Sequence, residues 1–295
     1  ATFHGGSGLT HAISGNISVN GTLSGGTSSV ILGGTTDIGG SGTISFNHLT
    51  IGGTVRALAG VGLTGSLTNN GTLDALGSAL TFSGSAAAVI AGTTTPTTID
   101  SLVIAKSAAT VTLAVNLSAL TTLTISSGTL DNGAFTISQD AAGGTLTIGT
   151  SGTLKLVGTS SLPTFNTYSF AAAGIVEFAG SGTQTISAQN YGSLKSSSSG
   201  ARILASSGVI GVSGTFTPAA NSYTITDSTI EFNGSTSQTI PAFNYNDLAS
   251  SSSGSRVLAS SGTIGVLGTF TPGGNAFTVA GSTMSFNGAA QSIPA

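Results

Sequence analysis

Phe178, Phe232 and Phe286 stand 54 residues apart, and the sequence around them repeats at the same spacing. Gln184 recurs as Gln238, Tyr191 as Tyr245, Leu194 as Leu248, Arg202 as Arg256, Phe216 as Phe270 and Pro218 as Pro272. Gln291 falls one residue early, a single deletion in the third copy. A strict long period constrains the fold more than composition does, because each unit then buries its apolar face against its neighbours rather than in a core of its own. Copies run over residues 177–230 and 231–284, and 285–295 opens a further one. Residues 1–176 carry the theme in degenerate form: Phe82 and Ile90 are spaced as Phe178 and Ile186, and Arg56-Ala57-Leu58 resembles Arg256-Val257-Leu258. The expected organisation is a single continuous array.

Inside the period, short runs with alternating apolar positions are bounded by Gly, Asn, Asp or Ser, which is the pattern of strands and turns. In Thr215-Phe216-Thr217 and Thr269-Phe270-Thr271 the alternation puts Phe on one face and both Thr on the other. No window holds an i, i+3, i+4 stripe, so helices are not expected. The chain is expected to be all-β: a parallel β-helix, or β-solenoid, with two or three coils per 54-residue repeat. Each strand then lies ~4.8 Å above its equivalent, and small residues let the corners bend closely. Tandem β-sandwich domains are the alternative, although 54 residues is short for a sandwich of about 100.

Composition removes several classes. Charged residues are 5% of the chain, against roughly 25% in ordinary globular domains. Hydrophobic residues nevertheless reach 39%, which separates the chain from disordered sequences. The basic residues Arg56, Lys106, Lys155, Lys195, Arg202 and Arg256 are scattered, so no patch forms to neutralise phosphates and nucleic acid is not an expected partner. No apolar run approaches the ~20 residues of a transmembrane helix. Cys is absent, which excludes disulfide scaffolds and thiolate metal sites.

The phrase "SQTIPAFNYNDL…SRVLASSGTIGVLGTFTPGGN" resembles the units of bacterial cell-surface β-strand-repeat proteins, similar in style to autotransporter passengers and adhesins. The close match covers Glu177 to Ala295. The resemblance implies export, a β-helical stalk and a role in adhesion or extracellular structure, and it supplies no catalytic residues.

Candidate chemistry is sparse. The carboxylates Asp37, Asp74, Asp100, Asp131, Asp140, Asp227, Asp247, Glu177 and Glu231 are dispersed, whereas β-helical lyases and glycosidases hold paired carboxylates or a calcium cluster in one cleft. Glu177 and Glu231, as repeat equivalents, are expected on one side of the solenoid, whole coils apart. No enzyme activity, cofactor or metal site is expected, although a turn joining His4 to His11 would make a metal pair. Arg202 and Arg256 read either as a row of surface guanidinium groups for glycan or partner, or as outward Arg side chains that bond corner carbonyls and block lateral aggregation. Tyr191 and Tyr245 read either as sugar-stacking rings or as rings filling the coil. Thr-x-Thr pairs, such as Thr145/Thr147, raise ice binding, and Asp100-Ser101-Leu102 and Asp227-Ser228-Thr229 fit an O-glycosylation pattern at Ser101 and Ser228.

Both ends stand at a similar phase of the repeat, Phe3 and Ile13 at one and Phe286 and Ile293 at the other. Two readings follow: the chain is an excised segment of a longer protein, or its ends stack on copies of itself. A chain so poor in charge tends to associate. The expectation is an extracellular or cell-surface structural protein that forms a filament, sheath or surface layer. The stalk or glycan-binding segment of an adhesin is the second reading, and an ice-binding or polysaccharide-active β-helix the third.

Overall fold

The computed structural model describes residues 2–74, 78–139, 143–279, 281–289 and 291, the side chains of 119 and 120 apart. It is all-β, without helix among the described residues, and its parallel strands stack as a β-solenoid of about 14 turns. The parallel registers are incompatible with the alternative of β-sandwiches, which are antiparallel. Two compact units divide it: residues 1–154 with 163–169, and residues 155–162 with 170–295.

In the first unit three faces stack coil upon coil. One interior column runs Phe3, Leu23, Ile44, Val61, Leu80, Leu102, Leu123, each in register with the next. A second runs Val30, Leu49, Leu67, Ile90, Leu113. Strand alternation sends these residues inward and their Thr and Ser neighbours outward, so Leu63, Leu67 and Phe82 are fully buried. Glycines allow close approach where corners stack: a Cβ on Gly25 would lie 2.9 Å from the main-chain nitrogen of Asn47.

The second unit holds the regular copies and reveals how the period maps onto the coil. Residues 175–228 contain eight strands, from Ile175–Phe178 to Tyr223–Thr224, and the ninth, Thr229–Phe232, is the repeat equivalent of the first. Three strands make one coil, so a repeat advances two coils and two thirds. The strand Ile175–Phe178 stacks under Ser193–Ser196 and Phe216–Thr217. Thr229–Phe232 belongs instead to the column of Asn190–Tyr191, Val209–Val212, Asp247–Ser250 and Phe270–Thr271. Glu177 and Glu231 are therefore on different faces, which corrects the expectation that they share a side. Their shared sequence phase does not carry over because eight is not a multiple of three.

Candidate functional site

The corners of the second unit carry its polar chemistry. Gln184 accepts from the Gly180 N–H at 2.8 Å and donates to the main-chain oxygens of Leu156 and Ser160 at 3.0 and 2.7 Å. Arg202, in register with it one coil on, donates from Nη2 to the oxygens of Phe178, Gly180 and Ser197 at 2.8, 3.2 and 2.6 Å. Asn221 in the following coil donates to those of Ser198 and Gly200 at 2.9 and 2.7 Å. Each clip satisfies carbonyls that the corner loop turns inward, away from water.

The next repeat does the same at the next corner. Gln238 donates to Val212 and Gly214, Arg256 to Phe232 and Gly254, and Asn275 to Ser252 and Gly254, all between 2.7 and 3.0 Å. Gln291 begins a third corner by donating to Val266 and Gly268 at 2.9 and 2.7 Å. The Gln, Arg, Asn sequence thus walks from corner to corner because the repeat falls a third of a turn short of three coils.

Arg202 and Arg256 are fully buried, so the expectation of surface guanidinium groups is corrected, while the expected bonds to corner carbonyls are present and made from inside. In Arg202-Ile203-Leu204 the alternation buries Arg and Leu and leaves Ile203 partly exposed. Burial pushes both guanidinium pKa values down, and five N–H donors in a fork match several carbonyls at once. Tyr191 and Tyr245 are likewise buried, which removes them as surface contacts. Their hydroxyls bond the main-chain oxygens of Ser187 and Pro241, both at 3.1 Å, and burial holds Tyr245 well above the usual tyrosine range.

The remaining candidates are not brought together. Ser228 is buried and donates its hydroxyl to the Ile225 oxygen at 2.7 Å, so it is not the accessible glycan acceptor expected of it. Ser101 is half-buried, its hydroxyl 2.6 Å from that of Thr122. Asp37 takes a two-pronged bond from Arg56 at 2.7 and 2.6 Å, which raises the guanidinium pKa, and Asp74 stands in register with Arg56 one coil on. Glu177 pairs with Lys195 at 3.2 Å, and Asp140 lies outside the described residues. The His11 ring donates from Nε2 to the Gly5 oxygen at 2.7 Å, and among the described residues no three acidic or imidazole groups gather to hold a metal. Sequence reasoning missed Lys106, which is fully buried and donates to the Thr64 oxygen at 2.7 Å.

At the first coil, Phe3 is 59% exposed and lines, with Ile13, Ile17 and Leu23, an opening of about 750 Å³. Among the described residues the strands Thr2–His4, Thr10–Ile13 and Ile17–Ser18 pair only with the following coil. Phe286 is half-buried with its ring 6.0 Å from that of Phe270, and Ile293 lies outside the described residues. No helix among the described residues is long and apolar enough to cross a membrane. Compared with family models, curated proteins and solved structures, the chain matches none of them.

Proposed function

We propose that the protein is an extracellular structural subunit whose coils stack on those of further copies to make a filament, sheath or surface layer. The observation that carries this reading is the parallel stacking of the coils, in which the ladder edge of each strand takes up the equivalent strand of the next coil. Open parallel edges take up further strands, and a contact between unlike surfaces that does not close on itself grows into a fibre. Six basic and nine acidic residues in 295 give little charge repulsion against such stacking. The resemblance to bacterial cell-surface repeat proteins adds the extracellular setting and the alternative of an adhesin stalk.

Electron microscopy of untagged protein at physiological salt tests the reading. Filaments with one regular axial rise are expected, and Phe3→Asp should leave isolated particles. Isolated particles from the parent protein would overturn the filament and favour the stalk.

A further inference from the structure

We propose that the second unit carries a binding groove for a neutral saccharide, lined by Asn221, Tyr223, Phe243, Asn244, Leu267 and Asn287. The cavity measures about 410 Å³. Its walls come from successive coils: Asn244–Tyr245 stacks on Thr263–Val266, which stacks on Thr283–Phe286, and Leu267 and Asn287 directly follow the last two. Tyr223 joins through its ring, 4.8 Å from that of Phe243. At ~4.8 Å per coil the groove suits an elongated ligand lying along the solenoid axis.

The apolar wall is rigid. Phe243 is held edge to face by Phe216 at 5.3 Å, Tyr223 at 4.8 Å and Tyr245 at 4.9 Å. The polar groups beside it are not used up. The Asn244 side chain is exposed and has no hydrogen-bond partner among the described residues. Asn287 receives a bond from Ser285 on Oδ1, which leaves its amide nitrogen without a partner among them. Asn221 spends its nitrogen on corner carbonyls, while its Oδ1 is buried without a partner.

The other copy of the repeat shows what the same positions do with other neighbours. There Asn233 donates to Asn190 at 3.0 Å across Gly211, and the amide pair closes on itself. Phe243 and Leu267 correspond to Gln189 and Ser213 in that copy. Tyr223 likewise corresponds to Ser169, so the two copies differ at all three walls, and where those walls are present the amides stay open.

These features select the ligand class. None of the lining residues is charged, and Arg202 and Arg256 are turned into the corners, so nothing here meets a sulfate or carboxylate. Aromatic and leucine walls beside convergent amides match the alternating C–H faces and hydroxyls of a sugar. A peptide strand would need an open ladder edge, yet Thr263–Val266, the strand that leads into Leu267, is paired on both sides. The inference does not rest on filament formation.

Titration of the ¹⁵N-labelled chain with cellotriose, chitotriose and maltotriose, and with a sulfated heparin oligosaccharide, tests it. Saturable shifts of the Asn244 and Asn287 side-chain amides are expected with at least one neutral trisaccharide. The double variant Phe243→Gln, Leu267→Ser rewrites two of the walls as the other copy has them and should weaken that binding about tenfold, the loss of roughly one stacking contact. Asn244→Ala should weaken it too, which keeps the test valid if the double variant fails to fold, and Asn190→Ala should leave it unchanged. No response to any neutral trisaccharide, undiminished binding in Asn244→Ala, or preference for the sulfated probe would each overturn the proposal.

Discussion

The Tyr223 hydroxyl lies 2.6 Å from the Ser196 hydroxyl, and Arg202 Nε, one coil below Tyr223, is buried without a partner. In the next copy Phe277 replaces Tyr223, and Ser250, the equivalent of Ser196, accepts from Arg256 Nε at 2.7 Å. The two copies are alternative solutions to the same corner. Tyr223→Phe also removes the hydroxyl's bond to the Pro218 oxygen at 2.8 Å, so it should cost about 1 kcal/mol, one ordinary buried hydrogen bond rather than two, because Ser196 turns to Arg202 instead. Urea unfolding measures this; a loss well above that value would show that Ser196 does not switch.

Stability should fall between about pH 10 and about pH 12. Burial pushes Tyr223 up to about 12 and Tyr245 well above the usual range, whereas unfolded tyrosines ionise near ~10. In that window the unfolded chain binds fewer protons than the folded one, so the free energy of unfolding declines as pH rises. Below pH ~10 both states keep these protons and the contribution is complete. Following phenolate absorbance through urea unfolding at stepped pH checks it, and folded-state phenolate near pH 10 that disappears in Tyr223→Phe or Tyr245→Phe would refute it.

Replacing Arg202 tests the corner clip. Arg202→Met keeps much of the buried volume but strips the donors from the oxygens of Phe178, Gly180 and Ser197. The Phe178 and Gly180 oxygens keep main-chain donors from Ser197 and Gly200 at 2.9 and 3.2 Å, so among the described residues the Ser197 oxygen is the one left unmet, and a loss of about 1–3 kcal/mol is expected. Arg202→Lys should recover only part of it, since an ammonium has three donors and no planar fork. Equal urea midpoints for the two variants would argue against the fork geometry.

The period, the strands and the parallel solenoid were legible in the sequence, because Phe178, Phe232 and Phe286 fix the spacing and Gly punctuates the alternation. The face on which each copy lies was not. It depends on counting strands, and Asn190–Tyr191 and Phe216–Thr217 are too short to show as alternating runs. Arg202 was misplaced for a related reason. Its neighbours Ile203 and Leu204 both look like core, and alternation admits only one of them beside Arg. Gln184, 18 residues earlier, carried the missing signal: Gln184-Thr185-Ile186 places a polar residue and an apolar one on the same inward face. The groove was invisible because it arises where copies differ, at Tyr223, Phe243 and Leu267, rather than where they agree.

Lys106 is the first unit's buried cation, and its replacement separates burial cost from bonding. Its ammonium spans Gly84, which stands in register with it, to reach the Thr64 oxygen two coils away. One bond leaves most of the desolvation uncompensated, and burial lowers its pKa. Below the ordinary lysine pKa of ~10.4 the unfolded chain holds this proton more firmly than the folded one, so the stability penalty shrinks as pH rises toward that value. Lys106→Met keeps the stem and removes the charge. It should raise stability at neutral pH by about 1–4 kcal/mol, the gain reached when well-packed apolar residues replace buried ion pairs. The gain over the parent should narrow as pH climbs toward 10, read from urea midpoints of both proteins at each pH. A constant difference would mean that Lys106 stays charged in the fold, and a loss of stability at every pH would mean that the Thr64 bond outweighs desolvation.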